Sequence, residues 1–285
     1  MDKKAKSPEE FFEAVNIGEF TDKVREFRKQ ISPRMSEKEI FDSLHKTLTN
    51  NGDLFIEFVG SHFEKDTYFF RVREYREDDT SLKTESGFWN KPKEDVKEWG
   101  RFNRPGVSKL YTAAGQPVGH QGIVLEEMRY ITEHKKFVLI AYKAKKPIST
   151  FSFGSIKYDH FTNKNAKNVA KLYHDFLQTE LTRDVGEGKE YLYKISTIIT
   201  ELFNIQPTID AFVYPCVARK DVHNTCFSGE NVKDLLDFQW AMLMVKLGSD
   251  YLSTSIVESF TEKGEAIYRE NPLKIPESKF CLPSI

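Results

Sequence analysis

Apolar residues recur at helical spacing through the first fifty residues. Ser7-Pro8-Glu9-Glu10 is a helix start, with a capping hydroxyl, proline at the first helical position and acids facing the positive end of the dipole. A second helix is expected from about Glu19 to Ile31, ended by Ser32-Pro33. Ser36-Glu37-Lys38-Glu39 forms a capping box, and Ile40, Leu44 and Leu48 then fall on one face. Asn50-Asn51-Gly52 stops that helix. The pattern changes at Thr67, where "TYFFRVREY" has strand-forming residues in rough alternation. A polar stretch over 76–100 reads as a long loop, and such loops in compact domains are often functional. Strands are predicted at "SKLYTAA", "KFVLIAYKA" (136–144), "IDAFVYP" (209–215), 238–247 and 254–260. Helices are predicted at "GIVLEEMRYI" (122–131), 164–181 and 188–204, with Val169, Leu172, Tyr173 and Phe176 on one face of the second.

Strands and helices interleave irregularly, which points to an α+β fold with a mixed sheet core and flanking helices. Residues 1–60 read as a helical N-terminal extension, packed on the main domain or on a partner, and 61–285 as the main domain. The hydrophobic fraction of 39%, with 23 Phe, is enough for a proper core and argues against disorder. The net charge of −1 gives no general polyanion-binding surface. Three Cys (Cys216, Cys226, Cys281) fit neither a disulfide framework nor a zinc site, and reduced thiols in a cytoplasmic setting are the simplest reading. "MDKKAKSPEEFF" has charge but no apolar core, so no signal peptide is expected there. No run approaches the roughly 18 apolar residues of a membrane span, and no membrane partner is expected.

The common phosphate-loop, dinucleotide, zinc-protease and nucleophile-elbow motifs are missing, and the seven His lack metal spacing, so no metal is expected. Cys216 or Cys226 with His223 could form a thiol–imidazole pair, but two buried thiols on a strand and turn is the preferred reading. The basic stretch Lys157–Lys171 reads as a solvated helix face, and no nucleic acid is expected as a partner. Several polar residues sit in apolar surroundings: Arg71 in "YFFRVREY", Arg101 and Asn103 before the strand carrying Tyr111, Glu126 at a helix start, and Asn224 beyond the Tyr214-Pro215-Cys216 strand. Guanidiniums, a carboxylate and small amide or hydroxyl groups together suit a ligand with a diphosphate and a ribose.

These residues resemble the RES (Arg-Glu-Ser) domain family of bacterial toxin–antitoxin systems. The aromatic-Arg strand appears as "FFRV" (Arg71). The Gly-Arg-aromatic-Asn, Pro-Gly and Tyr pattern appears as "GRFNRPGVSKLYTA", giving Gly100, Arg101, Asn103, Pro105, Gly106 and Tyr111. The helix Glu falls in "IVLEEMR" at Glu126, with Glu127 as the neighbouring register, and "VYPCVARKDVHNTCF" gives Tyr214, Pro215, Cys216, Asn224 and Phe227. The match covers roughly residues 67–260, with motif identity in three segments, and departs from the family where its Ser is Cys216.

The resemblance implies an ADP-ribosyltransferase-like core and an NAD-consuming toxin or defence effector acting by glycohydrolysis, phosphorolysis or ADP-ribosyl transfer. It also implies an antitoxin and a second copy of the chain as partners. Arg71 and Arg101 would hold the diphosphate, with Asn103 and Asn224 as further NAD contacts. Tyr111 would flank the nicotinamide, Glu126 would stabilise the oxocarbenium-like state, and Cys216 would replace the Ser. The alternative is a weak or inactive nucleotide-binding relative, because a thiol hydrogen-bonds less well than a hydroxyl.

Overall fold

A computed structural model describes residues 7–54, 59–115, 135–152, 158–186, 188–203, 209–216, 223–248 and 250–276. The chain divides into two compact units: Met1–Gly60 with Glu98–Pro105 and Phe151–Pro207, and Ser61–Lys97 with Gly106–Thr150 and Thr208–Ile285. The described residues have an α+β fold. Among them no helix is long and apolar enough to cross a membrane.

The first unit holds helices α1 (Pro8–Glu13), α2 (Ile17–Gln30), α3 (Glu37–Leu48), α4 (Lys164–Leu181) and α5 (Tyr193–Phe203). The expected capping box forms between Ser36 and Glu39, and the helix start expected at Ser7 is also closed as a capping box, with Glu10. The second helix begins at Ile17, two residues before the expected start, because the Asn16 side chain accepts from the Glu19 N–H at 3.1 Å and so takes the cap position. Beyond α3, β1 (Thr49–Asn50) and β2 (Asp53–Leu54) pair antiparallel across Asn51-Gly52. Phe11, Phe12, Phe20 and Phe27 are buried around the rings of α4. Phe20 stacks on Tyr173 at 5.3 Å, Phe12 meets the same ring edge-on at 5.5 Å, and Phe27 meets Phe176 at 5.6 Å. The Tyr173 hydroxyl donates to the Leu48 carbonyl at 2.8 Å.

Helix α4 has its expected bounds, but one residue of its expected apolar face is corrected. Val169, Tyr173 and Phe176 are buried, whereas Leu172 is 41% exposed. The buried stripe also carries Ala166, Ala170, Leu177 and Glu180, so its centre is turned away from Leu172. The helix expected over 188–204 begins at Tyr193, behind a 3-10 turn at Glu190–Leu192.

The second unit is built on a ten-stranded sheet. Its strands are β3 (Val59–Phe63), β4 (Tyr68–Glu74), β5 (Lys109–Gly115), β6 (Lys136–Ala144), β7 (Ile148–Ser152), β8 (Ala211–Pro215), β9 (His223–Ser228), β10 (Leu236–Leu247), β11 (Asp250–Phe260) and β12 (Ala266–Pro276). Their order is β12-β11-β10-β6-β4-β5-β9-β8-β7-β3, and from β12 to β8 each strand runs antiparallel to the next. A short helix, α6 (Val232–Leu235), precedes β10.

The unbroken apolar run of β6 is explained by burial on both faces. Val138, Ile140 and Tyr142 point into one cluster with Phe69, Leu110 and Phe227, and Phe137, Leu139 and Ala141 point into another with Phe70, Ala113 and Met244. The expected polar loop over 76–100 contains 3-10 turns at Thr80–Lys83, Glu85–Phe88 and Lys93–Asp95, and it buries Leu82, Phe88 and Trp89 in the first cluster. The predicted helix at 122–131, with Glu126 and Glu127, lies outside the described residues.

Candidate functional site

The motif segments of the sheet unit converge. Arg71 is on β4, Tyr111 on β5 and Asn224 on β9, while Cys216 directly follows β8. These four strands are consecutive in the sheet. Asn224 is therefore within a strand rather than beyond one, held in register opposite Ala113 of β5 and Tyr214 of β8.

The pleat sorts these residues by face. Phe70 pairs with Ala113 and Ala113 with Asn224, so all three share a face, and Tyr111 and its cross-strand partner Cys226 share it too. Cys216 is fully buried in the cluster on that face with Phe70, Ala113 and Leu139. Arg71 pairs with Ile140, which belongs to the opposite cluster. Tyr111, Asn224 and Cys216 are thus brought together, and Arg71 is on the other side of the sheet. The expectation that Arg71 and Tyr111 share a cleft fails on this parity.

Asn224 is 4% exposed, and its Nδ2 has no hydrogen-bond partner among the described residues. A buried amide donor without an acceptor costs on the order of 1–3 kcal/mol. Burial pushes the Cys226 thiol up to about 12, and the opposing effects of Lys109 and of a hydrogen bond with Tyr111 do not reverse it. That thiol is protonated at neutral pH, so Cys226 is not a ready nucleophile. No disulfide joins Cys216 to Cys226.

On the opposite face, Arg71 organises backbone. Its Nη1 donates to the Trp89 carbonyl at 2.5 Å, Tyr142 Oη donates to the Phe88 carbonyl, and Arg73 Nη1 donates to the Gly87 carbonyl at 2.6 Å. Three consecutive loop carbonyls are thus each taken by a side chain from β4 or β6. Arg73 also pairs with Asp79. Beside these contacts lies a cleft of about 860 Å³ lined by Arg71, Arg73, Arg76, Trp89, Asn90 and Lys91 among others. Sequence reasoning passed over Arg73 and Tyr142. The available signal was the period-two spacing of Arg71 and Arg73, which puts both on one strand face.

Arg101 and Asn103 belong to the helical unit. Arg101 Nη1 donates to the carbonyls of Leu181 at 2.8 Å and Arg183 at 3.1 Å, and its guanidinium lies 5.4 Å from the centre of the Tyr193 ring. Leu181 ends α4, where carbonyls lack helical partners and the dipole favours a cation. Ser196 Oγ donates to the Arg101 carbonyl at 2.5 Å, and Arg104 grips Glu201 through Nε and Nη2 at 2.8 and 2.5 Å. Gly100 is required for a close approach: a Cβ there would lie 2.3 Å from Oδ1 of Asn103, which is itself buried. Gly106 has φ +77°, as a Pro-Gly turn favours, and donates its N–H to the Val96 carbonyl at 2.8 Å.

No protein-family model matches the chain, and no curated protein matches it.

Proposed function

We propose that the chain consumes NAD as a bacterial toxin or defence effector, with an ADP-ribosyltransferase-like sheet as its core. The observation that supports this most is convergence. Segments some hundred residues apart, picked out separately by the resemblance, come to neighbouring strands and place Tyr111, Asn224 and Cys216 on one face.

In the reaction the bond between nicotinamide and ribose breaks, and its electron pair leaves with the nicotinamide nitrogen. Water, phosphate or a protein side chain adds to the ribose carbon and gives up its proton. Tyr111 flanks the nicotinamide, and Asn224 supplies an amide N–H to a carbonyl or hydroxyl oxygen of the ligand. Glu126 stabilises the oxocarbenium-like state. Cys216 supports the ligand-binding face, in the place of the family's Ser. The proposed setting is cytoplasmic, with an antitoxin and a second copy of the chain as partners.

The test is nicotinamide release from NAD, followed by chromatography. Wild type should release it, whereas Glu126→Gln and Asn224→Ala should lower the rate by about 10²-fold or more, in line with loss of a charge-stabilising or positioning group. Full activity in both variants would reject the assignment.

A second reading, a silent nucleotide-binding relative, is supported by the full burial of Cys216 in an apolar cluster. A wild type that binds NAD without release, and a large gain of release in Cys216→Ser, would favour it.

A further inference from the structure

The sheet forks between β4 and β5. β4 pairs with β6 along its whole length, Tyr68 to Glu74, but with β5 only at Tyr68, Phe69 and Phe70. The first half of β5 is held elsewhere. Lys109 to Ala113 pair with β9, and Ser108, just before the strand, donates to the Lys91 carbonyl and accepts from Asn90 Nδ2 at 2.5 Å. The loop at 90–91 thus ties the start of β5 to itself rather than to β4.

Main-chain groups along an antiparallel strand turn alternately to one neighbour and the other. The Tyr75 N–H donates to the Lys136 carbonyl at 3.2 Å, on the β6 side. Arg71 and Arg73 share that parity. Val72 and Glu74 therefore turn their N–H and C=O groups into the fork, where no main-chain group among the described residues pairs with them. Free strand edges are ordinarily covered, or blunted by a proline or a bulge, and Arg71–Glu74 has neither a proline nor a register shift.

This edge lines the cleft of about 860 Å³ through Arg71, Val72, Arg73 and Glu74. Trp89 and Asn90 line it too, held by Arg71 at the Trp89 carbonyl and by the Asn90–Ser108 bond. The lining carries four basic and four acidic side chains, so it does not select a simple ion. Most of that charge is used internally: Arg73 pairs with Asp79, and Arg76 with Glu74. Arg71 has no carboxylate partner among the described residues, and Val72 is partly buried against the cluster of Phe70 and Leu139.

From this edge we infer that the fork is an interaction surface that takes an extended segment of another protein, added to β4 as a further strand. Residues directly opposite each other on paired strands share a face, so the partner residues that bond Val72 and Glu74 are apolar and pack on Val72. The residues between them face Arg71 and are acidic. Arg71–Glu74 spans about 13 Å, enough for a short ladder in which the main chain supplies affinity and the alternate side chains supply selection. The inference does not depend on the NAD reading.

The probe is a short end-capped peptide of alternating valine and glutamate carrying a fluorophore, titrated with the full chain at physiological salt and followed by anisotropy. Saturable binding at one site per chain is expected. N-methylation of the valines removes the N–H groups that meet β4 and should weaken binding at least about tenfold. N-methylation of the glutamates blocks only the far edge and should leave binding as it was. Lysine in place of glutamate should also weaken binding at least about tenfold, through Arg71. On the protein side, Val72→Pro removes an N–H that faces the fork and spares every bond to β6, a placement proline tolerates. It should lose the peptide to the same degree, and if it fails to fold the methylated peptides decide alone. No saturable binding by folded wild type at millimolar peptide would overturn the inference. So would parent-like binding of the valine-methylated peptide, equal loss with both methylated peptides, or parent-like binding by folded Val72→Pro. A lysine peptide bound as well as the parent would overturn the acidic requirement. Binding is read without nicotinamide release, so failure here leaves the NAD assignment standing, and the reverse.

Discussion

Arg101 of the helical unit and Arg71 of the sheet unit came from the same motif reading, and both donate to main-chain carbonyls. They differ in what surrounds those carbonyls. Arg101 sits at the end of α4, where unpaired carbonyls and the helix dipole together supply negative potential, and a tyrosine ring lies against its guanidinium. Arg71 holds one loop carbonyl and opens on a charged cleft. A motif arginine can therefore be an organiser of backbone first, and whether it also serves a ligand depends on the donors it has to spare.

The largest expected effect tests the unit around Arg101. Tyr173→Ala removes the ring against which Phe12 and Phe20 pack and the hydroxyl bonded to Leu48, and should destabilise the protein by about 3–5 kcal/mol in urea unfolding. If the loss is under about 1 kcal/mol, the aromatic cluster is not the core of the helical unit.

The arginines themselves come next. Arg101→Ala should cost about 1–3 kcal/mol, chiefly because the C-terminal end of α4 loses a charged donor, and amide exchange should quicken in the last turn of that helix. Arg71→Ala should cost a similar amount, with faster exchange confined to the 76–97 loop. Exchange changes that did not follow this division would break the comparison. Tyr142→Phe isolates one of the three pinned carbonyls and should cost about 1–2 kcal/mol.

Near neutral pH an effect is expected from a histidine of the helical unit. Burial holds His174 below its ordinary value, with Asp175 opposing. The unfolded chain then binds the proton first as pH falls through about 6.5, so stability present above that value declines below it, down to the lowered native value. The midpoint should drop between pH 7.5 and pH 5.5, and His174→Gln should shrink that drop. An unchanged drop would assign it to other groups. The smallest effect should be Leu172→Ala, within about 0.5 kcal/mol, since the side chain faces solvent.

Local chemistry made much of the molecule legible. Hydroxyl caps set the starts of α1 and α3, because a cap is satisfied by N–H groups two or three residues away. The run KFVLIAYKA gave β6 its bounds, since burial on both faces leaves no polar alternation to confuse the reading. The sheet strands β3, β7, β9 and β12 escaped it. HNTCFS looks like a turn but is buried because β5 and β8 flank it, and AIYRENPLKIP carries two prolines, which an edge strand such as β12 tolerates.

The candidate site divides in the same way. Which residues were unusual could be read along the chain, and so could the parity that puts Arg71 and Arg73 together. That Tyr111, Asn224 and Cys216 meet could not be read, nor that Arg71 turns away from them. Those relations depend on strand order and register, which are settled by contacts between segments distant in sequence and by a pleat in which a single residue of shift exchanges the two faces.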